Sequence, residues 1–330
     1  MNLWRVPLDE QSGKARGPAE PVTTPATNLA HPTIAADGLH IGYVSAEVSI
    51  NIQRLTFDPT AGVVVGEPTA VTTGSRQWSS PDPSPDGKWV AFYTLNQPEG
   101  HIYIARSDGS ALRQLTSDTA IDRLPRWSPD GKWLAFFSTR AGPLHVWMIR
   151  PDGSDLKRVS GNPAAYMVWS PDGKRIMTRV GSGGPVTGQT VGIIDAQRSP
   201  VEQHVDIMPA AQFGRFFPNS WSPDGLRIAG QVGAVGAAGS GIAVFSLPNR
   251  RYEKLTEFGE WPVWLPDSQR LLFVAGGNSF YVLDTRTKAV HKVFTVVRDV
   301  LGPPRLTRDG RALYFSRRVT EADVWMATLR

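Results

Sequence analysis

An all-β fold, a β-propeller of seven four-stranded antiparallel blades, is predicted by three observations in this sequence. A short turn motif returns seven times, most cleanly as Ser84-Pro85-Asp86-Gly87-Lys88, Ser128-Pro129-Asp130-Gly131-Lys132 and Ser170-Pro171-Asp172-Gly173-Lys174. It recurs as Ser222-Pro223-Asp224-Gly225, and in decayed form as Ala36-Asp37-Gly38, Pro266-Asp267-Ser268 and Arg308-Asp309-Gly310. Successive turn aspartates lie roughly 42 to 52 residues apart, the period of a four-stranded blade. No segment sustains a helical period over about a dozen residues. Six or eight blades are the alternatives to seven.

The segment from Pro125 to Ser160 displays the unit best. Pro125-Arg126-Trp127-Ser128 is a short first strand, and Asp130-Gly131 turns the chain, because glycine takes positive φ without a Cβ penalty. Trp133-Leu134-Ala135-Phe136-Phe137 is continuously apolar, as a strand buried on both faces must be. His145-Val146-Trp147-Met148-Ile149 is a third strand. Leu156-Lys157-Arg158-Val159 is a polar outer strand whose cations blunt edge pairing. The neighbours repeat this order, with second strands at Trp89-Phe92, Arg175-Met177, Arg227-Ala229, Leu271-Val274 and Ala312-Phe315. Third strands follow at His101-Ala105, Val191-Ile194, Ile242-Phe245, Phe280-Leu283 and Asp323-Met326.

Trp127, Trp169, Trp221 and Trp264 each stand three residues before a turn aspartate. Their shared place on an inner strand points to packing between blades rather than to a binding cage. The aspartates sit in separate turns around a ring, which assigns them to turn capping rather than to a metal.

Composition sets the outer bounds. The chain has 330 residues, and a repeat of this period lets one domain use all of them. Residues are 41% hydrophobic, a globular value. The net charge of +5 is carried by isolated cations rather than by a dense stripe, which argues against nucleic acid. There is no cysteine, so disulfides, thiolate chemistry and sulfur-ligated metal sites are excluded. Met1-Asn2-Leu3-Trp4-Arg5 does not begin a signal peptide. The chain as written therefore reads as cytoplasmic, or as periplasmic if an export segment precedes it; its compartment is left unassigned. The uncharged stretch from Ile228 to Asn249 is too glycine-rich for a membrane span and reads as two strands around a loop.

The Trp-Ser-Pro-Asp-Gly-Lys units, each followed by an apolar strand and often a later Asp-Gly-Ser turn, resemble the WD-like repeats of TolB-type propellers. Related units occur in the propeller domains of dipeptidyl-peptidase-like and tricorn-like proteases. The resemblance spans about Leu29 to Arg330 and implies a propeller used as a binding or scaffolding platform, either alone or as the sensory or scaffold part of a larger bacterial regulator. The motif residues are structural, so the resemblance carries architecture and not an activity. Glu20-Pro21-Val22-Thr23 is expected to supply the outer strand that the last repeat lacks, making residues 1–330 one domain with 1–23 closing the ring. A truncated upstream repeat is the alternative.

No Gly-x-Ser-x-Gly elbow is present; Gly181-Ser182-Gly183-Gly184 comes closest, with Val180 where a glycine is needed. Gly233, Gly236 and Gly239 lack the lysine and helix of a phosphate loop. The six histidines are scattered, with no pair at metal-ligand spacing. The expectation is a non-enzyme with no catalytic residues, no cofactor and no metal.

The loops entering the inner strands carry the more useful signal. They bring Arg76, Arg123, Arg126, Arg215, Arg298 and Arg305 to one face, with Trp78, Tyr166, Phe213, Phe216, Phe217 and Trp261. Arginine and aromatic side chains together are enriched where protein partners bind. The predicted ligand is a protein or peptide segment, acidic or carboxylate-bearing, on a monomeric propeller. The competing expectation is that these arginines pair with Asp82, Asp122, Asp206, Glu260 and Asp299 in the same loops. Two other readings stay open: an enzyme or small-molecule or glycan binder using the central channel, and a purely architectural module.

Overall fold

The structure, a computed structural model, describes residues 4–9, 11–22, 28–95, 100–181, 190–233 and 240–328. Two compact units make up the chain, one of residues Ile50–Arg318 and one of Met1–Ser49 with Val319–Arg330.

The larger unit is a ring of six blades, which corrects the seven expected. Five are uninterrupted four-stranded antiparallel meanders, within residues 78–114, 122–158, 164–207, 216–254 and 260–295. The sixth takes strands from both ends of the sequence. Val300–Leu301 and Arg305–Leu306 pair with Ala312–Thr328, which pairs with His40–Asp58, which pairs with Val63–Ala70. Six hydrophobic clusters join the blades, one per interface. Ala91 and Tyr93 of the first blade pack with Trp127 and Phe136 of the second, for example. Leu272 and Phe280 of the fifth pack with Leu313, Phe57 and Leu55 of the sixth. Ile52 and Tyr314 of the sixth pack with Trp78 and Phe92 of the first, which completes the circle.

The seventh blade fails for a local reason. A blade needs a hairpin between its second and third strands, and a hairpin needs turn residues. Neither glycine nor proline occurs from Tyr43 to Phe57 or from Leu313 to Thr328, so each run continues as a single strand. The first repeat therefore gives only its outer half to the ring, and the last gives only its inner half. Val63–Ala70 occupies the outer place in the closing blade that Glu20–Thr23 was expected to fill; Glu20–Pro21 pairs instead with Trp4–Arg5. Leu3 and Thr23 lie outside the described residues. In the smaller unit, Asn28–Ile34 lies antiparallel to His40–Asp58, from Asn28 opposite Ala46 to Ile34 opposite Ile41.

The turn motif works as a hydrogen-bonded clip. Ser128 donates its hydroxyl to the Asp130 carboxylate at 2.6 Å, Asp130 accepts the Lys132 amide at 3.1 Å, and the Ser128 hydroxyl accepts the Trp133 amide at 3.0 Å. Asp86, Asp172, Asp224 and Asp309 repeat the arrangement. The serine or threonine hydroxyl holds the carboxyls of Asp86, Asp172 and Asp309 below the usual carboxylate range. The recurrent tryptophans are buried in the clusters between blades, as their position predicts.

Candidate functional site

Every inner strand but the closing one is interrupted by a bulge. The bulged residue, six positions before the turn aspartate, is left-handed at Ser80 (φ 51°), Leu124 (φ 53°), Tyr166 (φ 59°) and Trp261 (φ 53°). The matching positions in the other two blades are Pro218 and Pro303, whose rings forbid positive φ. Left-handed backbone at non-glycine residues is strained, and bulges re-aim side chains. Three of these four strained residues serve one place: Leu124, Tyr166 and Trp261, together with Pro218 and Pro303, line a cavity of about 130 Å³ within the ring.

Two positions further along each inner strand comes a ring of residues, Asp82, Arg126, Val168, Ser220, Val263 and Arg305. Its charged members fall in three adjacent blades, the sixth, first and second. Asp82 lies 3.9 Å from the Arg126 guanidinium and 3.6 Å from that of Arg305, and accepts the Trp127 amide at 2.8 Å. Ser220 makes the same contact with the next blade, accepting the Trp264 amide at 2.9 Å. Arg126 and Arg305 are at most 9% exposed. Burial, then the neighbouring Arg126, push the Arg305 guanidinium down to about 9, against the pull of Asp82. Burial lowers Arg126 as well and raises Asp82 against the attraction of both arginines. Arg126 and Arg305 both line the cavity and share one carboxylate, a formal excess of one positive charge.

The remaining lining is amide and aromatic. Gln231 is 2% exposed, and the Asn219 Oδ1 is buried with no hydrogen-bond partner among the described residues. Tyr166 and Phe217 meet edge to face at 6.1 Å. On these two rings stacks Arg179, 4.5 Å from Phe217 and 5.8 Å from Tyr166.

Five of the twelve residues expected on the partner face converge here: Arg126, Tyr166, Phe217, Trp261 and Arg305. The others divide. Trp78 and Phe216 are core residues, Trp78 against Phe92 and Tyr103, Phe216 against Tyr252. Arg76 stacks over Trp78 and Tyr103, and Phe213 packs on the interface of the third and fourth blades. Arg215 and Arg298 are exposed, and Arg123 is half-buried with its Nε unpartnered among the described residues. The expected pairing of loop arginines with loop carboxylates holds for Arg126 and Arg305 with Asp82. It does not hold for three others, because their carboxylates are taken elsewhere. Asp122 binds Arg140 at 2.7 Å, Asp206 binds Arg250 at 3.4 Å, and Asp299 binds Arg317 at 2.6 Å.

The sequence reading missed Arg179, Gln231 and Asn219. A signal was there for two of them. Seven positions after the turn aspartate, the second strands carry Tyr93, Phe137, Arg179, Gln231, Val274 and Ser316, so an arginine and a glutamine stand in a largely apolar register. The loop around Ser182–Gly184 and the segment from Gly236 to Gly239 lie outside the described residues. Among the described residues no three His, Asp or Glu side chains converge as metal ligands, and no helix is long and apolar enough to cross a membrane.

Residues 18–206 match the family profile of the TolB β-propeller domain. A search of curated proteins finds no match. Among solved structures, a putative TolB from Agrobacterium tumefaciens is similar with a TM-score of 0.65 at 18% identity, over 82% of this chain and 99% of that one. TolB from Acinetobacter baumannii aligns with a TM-score of 0.57 at 16% identity, over 88% of this chain and 66% of that one. An oligogalacturonate lyase from Vibrio parahaemolyticus aligns with a TM-score of 0.53 at 13% identity, over 82% and 98%. At these identities the likeness is one of fold.

Proposed function

Since this chain belongs to the TolB β-propeller domain family, we propose that it is a non-catalytic binding platform whose central cavity takes a carboxylate-bearing side chain or terminus of a peptide segment. The observation that carries the reading is the shared counter-ion: buried Arg126 and Arg305 have one carboxylate, Asp82, between them. A second carboxylate entering from the cavity would offset the charge left over, and charge-assisted hydrogen bonds to arginine are the strong ones. The size of the site agrees. About 130 Å³ accommodates one side chain rather than a sugar ring with its hydroxyls, and Tyr166, Phe217, Leu124 and Trp261 suit the apolar stem of a glutamate.

The test is fluorescence polarisation with labelled hexapeptides that differ only in one glutamate or glutamine. The glutamate peptides are expected to bind, and Arg126→Gln or Arg305→Gln to weaken them by about tenfold or more without loss of β-structure by circular dichroism. Equal affinity for glutamate and glutamine peptides, or no binding at all, would overturn the reading.

A further inference from the structure

We infer that Arg179 and Arg215 form a second oxyanion subsite beside the channel, so that the peptide ligand carries two acidic groups; this rests on the reading just given. Arg179 is only 2% exposed, on the second strand of the third blade, where the equivalent residues are mostly apolar. Burying a guanidinium is costly unless an anion meets it. Yet Arg179 makes no ion pair or hydrogen bond with any described residue; its contacts are the faces of Tyr166 and Phe217.

The geometry around it is that of a site. A cavity of about 330 Å³ is lined by Arg179, Arg215, Thr190 and Tyr252, with Met208 and Ala211 among its apolar walls. Arg215 adds a second cation close enough to repel the first, and burial with that repulsion lowers the proton affinity of Arg179. Two arginines facing one cavity without a carboxylate are a poor arrangement for stability alone. Asp206, two residues before the Met208 that lines this cavity, is committed to Arg250.

The two cavities share a wall. Tyr166 and Phe217 line the channel, and Arg179 stacks on them. A peptide whose first acidic group enters between Arg126 and Arg305 can therefore place a second on Arg179 and Arg215 across one aromatic partition. The chemistry fixed by two guanidinium forks is an oxyanion, a carboxylate or a phosphate monoester on the same peptide.

The experiment uses three peptide series on the full chain: one glutamate; two glutamates at separations of one to four residues; and one glutamate with one phosphoserine. At the best spacing a second acidic group is expected to tighten binding by about tenfold. Arg215→Ala is expected to abolish that gain while leaving the one-glutamate peptide unchanged, and Arg179→Met is expected to abolish the gain as well. Arg215 is exposed, so its variant tests the subsite even where Arg179→Met disturbs packing. The glutamate and phosphoserine arms decide which oxyanion is preferred. No gain at any spacing, or a gain that survives Arg215→Ala, overturns the subsite while the channel reading stands. If no peptide binds, the channel reading falls, and the subsite is decided separately by titrating inorganic phosphate and acetate against the arginine Nε–H resonances. Saturable shifts at Arg179 and Arg215 uphold it, and unmoved resonances overturn it.

Discussion

Asp82 is the one acidic member of its register: in the other five blades of the ring that place holds Arg126, Val168, Ser220, Val263 and Arg305. Its carboxylate lies 3.9 Å from the Arg126 guanidinium and 3.6 Å from that of Arg305. Asp82→Asn keeps an acceptor for the Trp127 amide and removes only the charge, which isolates the electrostatic role. Two buried guanidinium groups without a counter-ion should cost about 3 kcal/mol, read as a lower urea midpoint at unchanged slope. The same substitution should tighten binding of a glutamate peptide, because an anion then answers both arginines. Arg305 makes a further prediction through pH. Its folded proton affinity lies below the unfolded one, at about 9, so the charged form opposes folding wherever it is present. That cost is full below about pH 9 and is relieved as pH rises through it. Relative to Arg305→Gln, the ligand-free protein should thus gain stability between about pH 8 and about pH 10, and the gain should vanish when a glutamate peptide saturates the channel. Paired melting curves of the two proteins, with and without peptide, measure it.

Turns and strands were legible because their causes are local. Asp-Gly pairs and apolar pentads carry their geometry in residue type, and the serine–aspartate clips found at Ser84, Ser128, Ser170 and Ser222 follow from those letters. Bulges were not legible. Leu124, Tyr166 and Trp261 have no preference for positive φ, so nothing in their identity announces that the strand turns them into the channel. Position in the repeat does announce it, since one register across the blades holds every such residue. At Ser80 the strain does not serve the cavity wall, because that hydroxyl lies outside the lining. Ser80→Gly should therefore relieve it and stabilise the protein by up to about 1 kcal/mol, whereas Trp261→Gly relieves the same strain and removes a wall. Urea denaturation should show a raised midpoint for Ser80→Gly, and peptide binding should weaken for Trp261→Gly while staying unchanged for Ser80→Gly.

Blade number is a property of the whole molecule, and here sequence counting overshoots by one. Seven turn motifs are present, but two of them belong to repeats that contribute only half a blade each, so the ring closes with six. Closure depends on strands about as far apart in sequence as the chain allows, and loop-closure entropy opposes such pairing until packing rewards it. The reward is the cluster in which Leu55 and Phe57, from the N-terminal side, pack with Leu313 and Phe315 from the C-terminal side and with Leu272 and Phe280 of the fifth blade. Phe57 is 1% exposed and Phe136, in the uninterrupted second blade, is 0% exposed. Truncating either to alanine should cost about 3 to 5 kcal/mol. If the composite blade is one with the ring, both variants lose that stability in a single transition with the wild-type slope. Were the joint only a loose latch, Phe57→Ala would show an early separate transition, with the fluorescence of Trp78, which packs on the sixth blade, changing before the rest. Phe136→Ala serves as the control in which no joint is disturbed, so the difference between the two curves measures how firmly the ends of this chain hold the ring shut.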